Sequence, residues 1–320
     1  MKKVLVTGAA GFIGSNLCDF LLKHGMQVAG LDNLVTGHRE FLAPALSNPN
    51  FTFVEADLLD YELTRRTVEA FKPEIVVHLA SNADVRFGLQ HPRKDLEQGT
   101  IVTFNVLEAA RLAGVKKFAF ASTGSVYGEP EIFPTPEVCP FPVQTSLYAA
   151  AKLAAEGMIA AYAEGYGMKG YIFRFVSILG ERYSHGHVFD FANKLKMNPA
   201  AIEVLGDGKQ TKAYLYIGDC VNAIWHVLNK CEEKVNLYNL GPDETINVDQ
   251  SLDIICKVMG VNPTRSYTGG TRGWTGDSPF IFLDCTRLKA TGWTATKTIS
   301  QSVELTIRYL LANDWLSKRN

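Results

Sequence analysis

Tyr148 and Lys152 stand four residues apart in the run Ser146-Leu147-Tyr148-Ala149-Ala150-Ala151-Lys152. On a helix that spacing puts both side chains on one face, a turn from each other. A tyrosine ordinarily titrates near 10 and is a weak base at neutral pH. A neighbouring ammonium stabilises the phenolate and lowers that value, and a phenolate can take the proton of a bound hydroxyl group. Y-x-x-x-K alone is common on surface helices. A second cluster gives it weight: Phe118–Ala121 reads as a strand that emerges into Ser122-Thr123-Gly124-Ser125-Val126-Tyr127-Gly128. Open α/β sheets bind their ligands at the C-terminal ends of strands. A serine or threonine hydroxyl there can hold the reacting oxygen beside the phenolate.

The chain opens with a third chemical signal. Val4–Thr7 reads as a buried strand that runs straight into Gly8-Ala9-Ala10-Gly11-Phe12-Ile13-Gly14 and then a helix, Phe12–Lys23. Glycines let backbone turn tightly against a pyrophosphate, and a helix N-terminus offers free N–H groups with a partial positive charge. About 20 residues on, Asp32 ends the next strand, placed to hydrogen-bond a ribose 2′-hydroxyl and to repel a 2′-phosphate. The pattern predicts NAD rather than NADP, and NAD supplies the hydride chemistry that a tyrosine base serves, its positively charged nicotinamide ring helping the lysine ammonium to stabilise the phenolate. No G-x-x-x-x-G-K-[ST] run occurs, so a Walker-type triphosphate site is not expected.

The elements that must position these groups follow from periodicity. Val28–Leu31, Thr52–Val54, Ile75–Leu79, Phe118–Ala121 and Tyr171–Phe175 are further short apolar strands. Helical patterns over Leu96–Ala113 and Ser146–Tyr166 alternate with them. Continuous apolar strands separated by helices predict an α/β fold, a doubly wound parallel sheet of the Rossmann kind. Five of the thirteen prolines fall between Glu129 and Val143, a loop, and after Gly180 the alternation weakens into a second, smaller α/β lobe. Both helical patterns are apolar on more than one face, which predicts burial on several sides.

Composition bounds the function classes. The 320 residues are 47% apolar and 20% charged with a net charge of −1, the profile of a folded globular chain. That balance lacks the basic excess of sequence-blind nucleic-acid binding. No apolar run reaches the roughly 18 residues of a membrane helix. Lys2-Lys3-Val4-Leu5-Val6 is interrupted at once by glycines and does not read as an export signal. Six scattered cysteines without a C-x-x-C pair are expected to be reduced thiols in a cytoplasmic protein. His185 and His187 lack a nearby carboxylate or cysteine, so no metal is expected. His78 is expected to be a satisfied core residue, Arg174 to be structural, and Trp274, Trp293 and Trp315 to pack the small lobe. Tyr183 and Phe189 either stack on a base or pack.

In combination the segments TGAAGFIGSNL, LDNLVTG, ADLLD, VVHLAS, NVLEAAR, ASTGSVYGEP, SLYAAAK, GDGKQTKAYLYIGD and RGWTGD resemble the extended short-chain dehydrogenase/reductases of the NAD-dependent nucleotide-sugar epimerase/dehydratase family, those like UDP-glucose 4-epimerase in particular. The resemblance runs nearly end to end. It implies hydride transfer at a sugar carbon, usually C4, with Tyr148 as base, Lys152 as its activator and cofactor-ribose ligand, and Thr123 as hydroxyl partner. It further implies that Gly8, Gly11, Phe12, Ile13, Gly14, Asp32 and Asn33 hold the cofactor, that Asp57 and Leu58 flank its adenine, and that Leu79, Ala80 and Ser81 line it. Ser125, Ser177, Lys212 and Arg272 fall at substrate positions, Arg272 with the guanidinium geometry that suits phosphate. The domains implied are 1–176 with a return segment 214–240 for NAD, and 177–213 with 241–320 for the nucleotide sugar. Relatives pair the two long helices with their symmetry mates, which implies a homodimer.

The chain also departs from the family pattern. Dehydratases of this kind follow the threonine with Asp-Glu, whereas Gly124-Ser125 stands here without an ionisable group. Gly99 replaces an asparagine before the long helix, Ser177 another after the sixth strand, and Lys212 an arginine. The resulting expectation is a 4-epimerase of a UDP-hexose or UDP-hexuronate working through a transient 4-keto sugar. The alternatives are a 4,6-dehydratase or net 4-dehydrogenase on a GDP-, CDP- or dTDP-sugar, and a non-catalytic NAD-binding regulatory protein.

Overall fold

The computed structural model describes residues 2–82, 85–140, 143–270 and 280–318. The chain forms two compact units, the first made of Met1–Pro130, Glu137–Phe175 and Val221–Asn239, the second of Glu131–Pro136, Val176–Cys220 and Leu240–Asn320.

Unit 1 is built on a seven-stranded sheet: β1 (Lys3–Thr7), β2 (Gln27–Asp32), β3 (Phe51–Glu55), β4 (Ile75–His78), β5 (Lys117–Thr123), β6 (Lys169–Phe175) and β7 (Val235–Leu240). The spatial order is β7-β6-β5-β4-β1-β2-β3, with β1 to β6 paired in parallel. The order reverses between β1 and β4, so a crevice opens outside their carboxyl ends, where Thr7 and His78 are register partners. Leu5, Leu31, Val76, Phe118, Phe120 and Ile172 pack on one face against Val68 of helix α2 (Tyr61–Phe71). Val102, Val106 and Leu107 of α3 (Val102–Leu112) and Ala155 and Ile159 of α4 (Leu147–Tyr166) complete that core. Helix α1 spans Phe12–Lys23.

Helix α4 starts where Ser146 caps it, accepting from the Ala149 N–H at 3.2 Å, and stops at Gly167 in a left-handed conformation. The pattern expected as one helix over Leu96–Ala113 is two pieces, a π-helical turn at Leu96–Ile101 followed by α3. The physical reason is Gly99: a Cβ there would lie 2.7 Å from that of Ala151, so the backbone runs hard against α4. Wider π turns of this kind commonly accompany functional sites.

Unit 2 packs the helices His187–Met197, Val248–Met259 and Ile299–Ala312 with two pairs of short strands and one three-stranded sheet. Thr135 of the proline-rich loop forms a bridge to Leu283 within this unit. Trp293, Tyr183 and Phe189 are buried, whereas Trp315 is only half-buried and Trp274 lies outside the described residues. Of the six free cysteines, Cys18, Cys220, Cys256 and Cys285 are buried and Cys139 and Cys231 half-buried. Among the described residues no helix is long and apolar enough to cross a membrane.

Candidate active site

The glycine loop is shaped by close backbone contacts. Gly8 adopts φ +67°, and a Cβ on it would meet the Ala80 amide nitrogen at 2.8 Å. A Cβ on Gly14 would lie 2.0 Å from the Gly8 carbonyl oxygen, so this first turn of α1 sits directly on the loop. Gly11 is different. It caps the helix with ordinary extended angles, and only the Gly8 oxygen, at 3.2 Å, would touch an added Cβ. No side chain caps α1 and no acidic residue occupies its first turn, which carries Phe12 and Ile13. The positive end of the helix is thus left to an anion.

Asp32 closes the other side of the crevice. It is buried, and its Oδ2 and Oδ1 accept the N–H groups of Ala10 at 3.0 Å and Leu34 at 2.8 Å. Burial raises its pKa, while those two hydrogen bonds and His38 oppose the shift. Each oxygen keeps a lone pair for a diol. Asn33 turns its Oδ1 onto the Val35 N–H at 3.2 Å. Asp57 is exposed and accepts from Leu59 at 2.9 Å, and the Leu58 carbonyl is held by Asn105 at 2.9 Å. Half-buried Leu79, Ala80 and Ser81 leave β4 beside the loop. Thr7 Oγ1 accepts from the Leu79 and Ala80 amides at 3.2 and 3.3 Å, which leaves its own proton for His78 Nδ1 at 2.6 Å. His78 Nε2 then carries the hydrogen and donates to Thr103 Oγ1 at 3.1 Å, and Thr103 donates to the Gly99 carbonyl at 2.6 Å. Burial, with Lys152 nearby, holds the His78 pKa down to about 3, so this core histidine is neutral and satisfied. A Cβ-free approach at Gly11, an uncapped helix end and a carboxylate with spare acceptor capacity fit a dinucleotide.

At the end of β5, Thr123, Ser125 and Tyr148 meet. The Thr123 hydroxyl donates to Ser125 Oγ at 3.2 Å, accepts the Ser125 N–H at 3.1 Å, and shares a hydrogen bond with the Tyr148 phenol. Lys152 Nζ donates to the Ala121 carbonyl at 2.7 Å and lies 5.8 Å from the Tyr148 ring centroid. Burial pushes the lysine down to about 7, against the pull of Glu156. Burial also pushes Tyr148 up to about 12, with Thr123 opposing and Asp95 reinforcing the shift. The lowering expected from the ammonium together with a cationic nicotinamide ring thus has to work against this burial. Lys152 is turned to a carbonyl and its own charge is weakened by burial, so the phenol needs a further positive charge.

Two groups were not singled out from the sequence. Asp95 is 2% exposed, and Asn82 donates to its Oδ1 at 2.8 Å while Oδ2 has no partner among the described residues. Glu156 is buried in a bidentate pair with Arg174, whose Nε and Nη2 donate at 3.0 and 2.6 Å. Ser122 also donates to Glu156 Oε1. A carboxylate one turn beyond Lys152 was the available signal. The structural reading of Arg174 holds.

In unit 2, Ser177 is exposed and is the register partner of Tyr214, two residues beyond half-buried Lys212. His187 bonds Ser251 Oγ at 2.9 Å and the Tyr214 hydroxyl at 3.1 Å. Arg272 lies outside the described residues.

Comparison with known proteins places the chain in a class. Residues 4–241 match the model of the NAD dependent epimerase/dehydratase family, and the chain belongs to that family. A putative UDP-glucose 4-epimerase of Methanocaldococcus jannaschii is 31% identical over 316 residues, covering 97% of this chain and 99% of that protein. The UDP-glucuronate 4-epimerase of Thermodesulfobacterium geofontis is 29% identical over 326 residues, covering 99% of each. The crystal structure of Thermus thermophilus UDP-glucose 4-epimerase in complex with NAD is 34% identical with a TM-score of 0.85, covering 97% of this chain and 99% of that one.

Proposed function

We propose that this protein is an NAD-dependent nucleotide-sugar 4-epimerase, an isomerase acting on a UDP-hexose or UDP-hexuronate. The observation that carries the reading is the cluster of Tyr148, Thr123 and Lys152 at the end of β5, followed by Gly124-Ser125. NAD, when bound, supplies the acceptor and donor of hydride at C4. Gly8, Gly11, Phe12, Ile13 and Gly14 cradle its pyrophosphate, Asp32 and Asn33 hold its ribose, Asp57 and Leu58 flank its adenine, and Leu79, Ala80 and Ser81 line the remainder. Thr123 orients the C4 oxygen, with Ser125 beside it. Tyr148 takes the hydroxyl proton and returns it after the 4-keto sugar has turned its other face. The Lys152 ammonium and the cationic cofactor ring together lower the phenol from its resting value. An elimination needs a carboxylate after the threonine, and Gly124-Ser125 offers none.

In this reading residues 1–176 with 214–240 carry NAD, and 177–213 with 241–320 carry the nucleotide sugar through Ser177, Lys212 and Arg272. A homodimer is supported by the exposed apolar stripe of Leu96 (53%), Ile101 (39%) and Phe104 (44%), continued by exposed Ala154, Gly157 and Ala161 of α4. A cytoplasmic location is supported by six free thiols. The experiment is to incubate UDP-glucose and UDP-glucuronate with wild type and Tyr148→Phe. The 4-epimer forms with wild type and falls by about 10²–10⁴-fold in the variant, with NAD still bound. Wild-type NAD binding without turnover of any nucleotide sugar favours a regulatory protein instead.

A further inference from the structure

Tyr148, Lys152 and Glu156 recur at every fourth position of α4, on one face. Lys152 and Glu156 are 3% and 6% exposed. Glu156 is joined to the strand that carries the catalytic threonine: Ser122, next to Thr123, donates to it, and Ser122 is the register partner of Arg174 on β6. Arg174 fixes the carboxylate from the other side, lies 4.7 Å over the Tyr127 ring, and donates to the Glu137 carbonyl at 3.2 Å. Such a carboxylate, bonded from two sides, is fixed in orientation.

We propose that Glu156, held by Arg174 and Ser122, is a positioning residue that keeps Lys152 an ammonium ion and ties the end of β5 to the Tyr148 face of α4. The inference rests on the epimerase reading for its consequence in turnover, and on geometry for the charge of Lys152. Among the described residues, the groups around that ammonium leave Glu156 as its counter-charge. On α4 it has the neutral Tyr148 phenol. On β5 it has the Ala121 carbonyl and the Phe120 ring at 4.7 Å. His78 on β4 is neutral. Asp95 bears on Tyr148, and the Arg174 charge on β6 is taken up by Glu156. Burial works against the ammonium, and the Glu156 charge offsets part of that effect. Without Glu156 the lysine loses its proton at lower pH, Tyr148 loses the charge that assists it, and the alkaline limb of the activity profile moves down.

Two readouts test this on the full-length protein. In protein labelled with 13C at lysine Cε, the Lys152 signal, assigned by its absence in Lys152→Met, is titrated in wild type, Glu156→Gln and Glu156→Asp. The midpoint in Glu156→Gln is expected to fall by about one pH unit or more, and Glu156→Asp, which keeps the charge, to restore most of the shift. The alkaline limb of kcat for sugar epimerisation is expected to move with it. Should Glu156→Gln not fold, Glu156→Gln/Arg174→Gln leaves an amide pair in the same space and is expected to show a smaller downward shift, because the Arg174 charge leaves with the carboxylate. An unshifted Lys152 midpoint in the folded variant overturns the proposal even if the enzyme turns over. A shifted midpoint in a protein without epimerase activity sustains it and removes the functional reading instead.

Discussion

Gly11 and Gly14 are both glycines of one loop, yet the structure assigns them opposite tasks, and an alanine at each separates them. At Gly14 the new Cβ would stand 2.0 Å from the Gly8 oxygen, 2.8 Å from its carbon and 2.9 Å from Ala9 Cα, all backbone atoms. Ordinary contact requires moving the loop by about an ångström, an overpacking that costs roughly 1–3 kcal/mol. For a chain of this size the melting temperature falls by several degrees, at about 2–4 °C per kcal/mol. At Gly11 the backbone angles suit any residue, and among the described residues the neighbour of an added Cβ is the Gly8 oxygen at 3.2 Å. Stability should change by less than about 1 kcal/mol, the scale of an N-cap exchange. The methyl group instead occupies the approach to the α1 amides. Losing one charge-assisted phosphate contact costs about 1.5–3 kcal/mol, roughly a ten- to hundredfold weaker Kd for NAD. Calorimetric titration with NAD and thermal unfolding, run on both variants, give the four numbers required. Gly11→Ala with wild-type NAD affinity would refute the assignment of the helix end to the pyrophosphate, and Gly14→Ala with wild-type stability would refute the packing argument.

Burial of the Lys152 ammonium predicts a pH dependence of stability. The folded value, about 7, lies below the ordinary lysine value of 10.5, so between them the unfolded chain binds more protons and wild-type stability rises with pH across that window. Below about 7 the penalty is complete, of order 4 kcal/mol as an upper figure; urea unfolding of Lys152→Met should therefore show higher stability near pH 7 and lose the slope between pH 7 and 9, and an unchanged slope contradicts the buried charge. Thr123→Val removes the hydroxyl that Tyr148 shares and should lower kcat by one to two orders of magnitude, on the order of one charged hydrogen bond, with NAD affinity unchanged; equal loss of NAD binding means that the threonine holds the cofactor instead. Gly157→Glu adds a side chain where no described residue lies within 4 Å of the new Cβ, and Phe104→Glu places charge on the exposed stripe. Wild type is expected to sediment as a dimer and both variants as folded monomers, and a dimeric variant puts the interface elsewhere.

The parallel sheet was legible because β1, β2, β4, β5 and β6 are runs of apolar and β-branched residues buried on both faces. The loop after β1 and the Tyr148–Lys152 spacing were legible because their chemistry depends on local sequence order. The π turn at Leu96–Ile101 was not, since its cause is a contact between Gly99 and Ala151, fifty-two residues apart in number. β7 hid for another reason: it carries Asn236 and Asn239, both fully buried and hydrogen-bonded, where an apolar run was the signal sought. The Glu156–Arg174 pair depends on the β5–β6 register, and buried Asp95 sits in the segment His91-Pro92-Arg93-Lys94-Asp95, which has the composition of a solvated turn. Local order carried the chemistry, and tertiary contact set its electrostatics.

The central claim is that Tyr148 and Thr123 serve a hydride that leaves C4 and returns to the same carbon within one site. Proton NMR in deuterated water, with NAD and UDP-glucose or UDP-glucuronate, tests it directly. A 4-epimer with no deuterium on the sugar carbons is expected. A 4-keto-6-deoxy product with deuterium at C5 would contradict it and assign elimination chemistry to a site that begins Thr123-Gly124-Ser125.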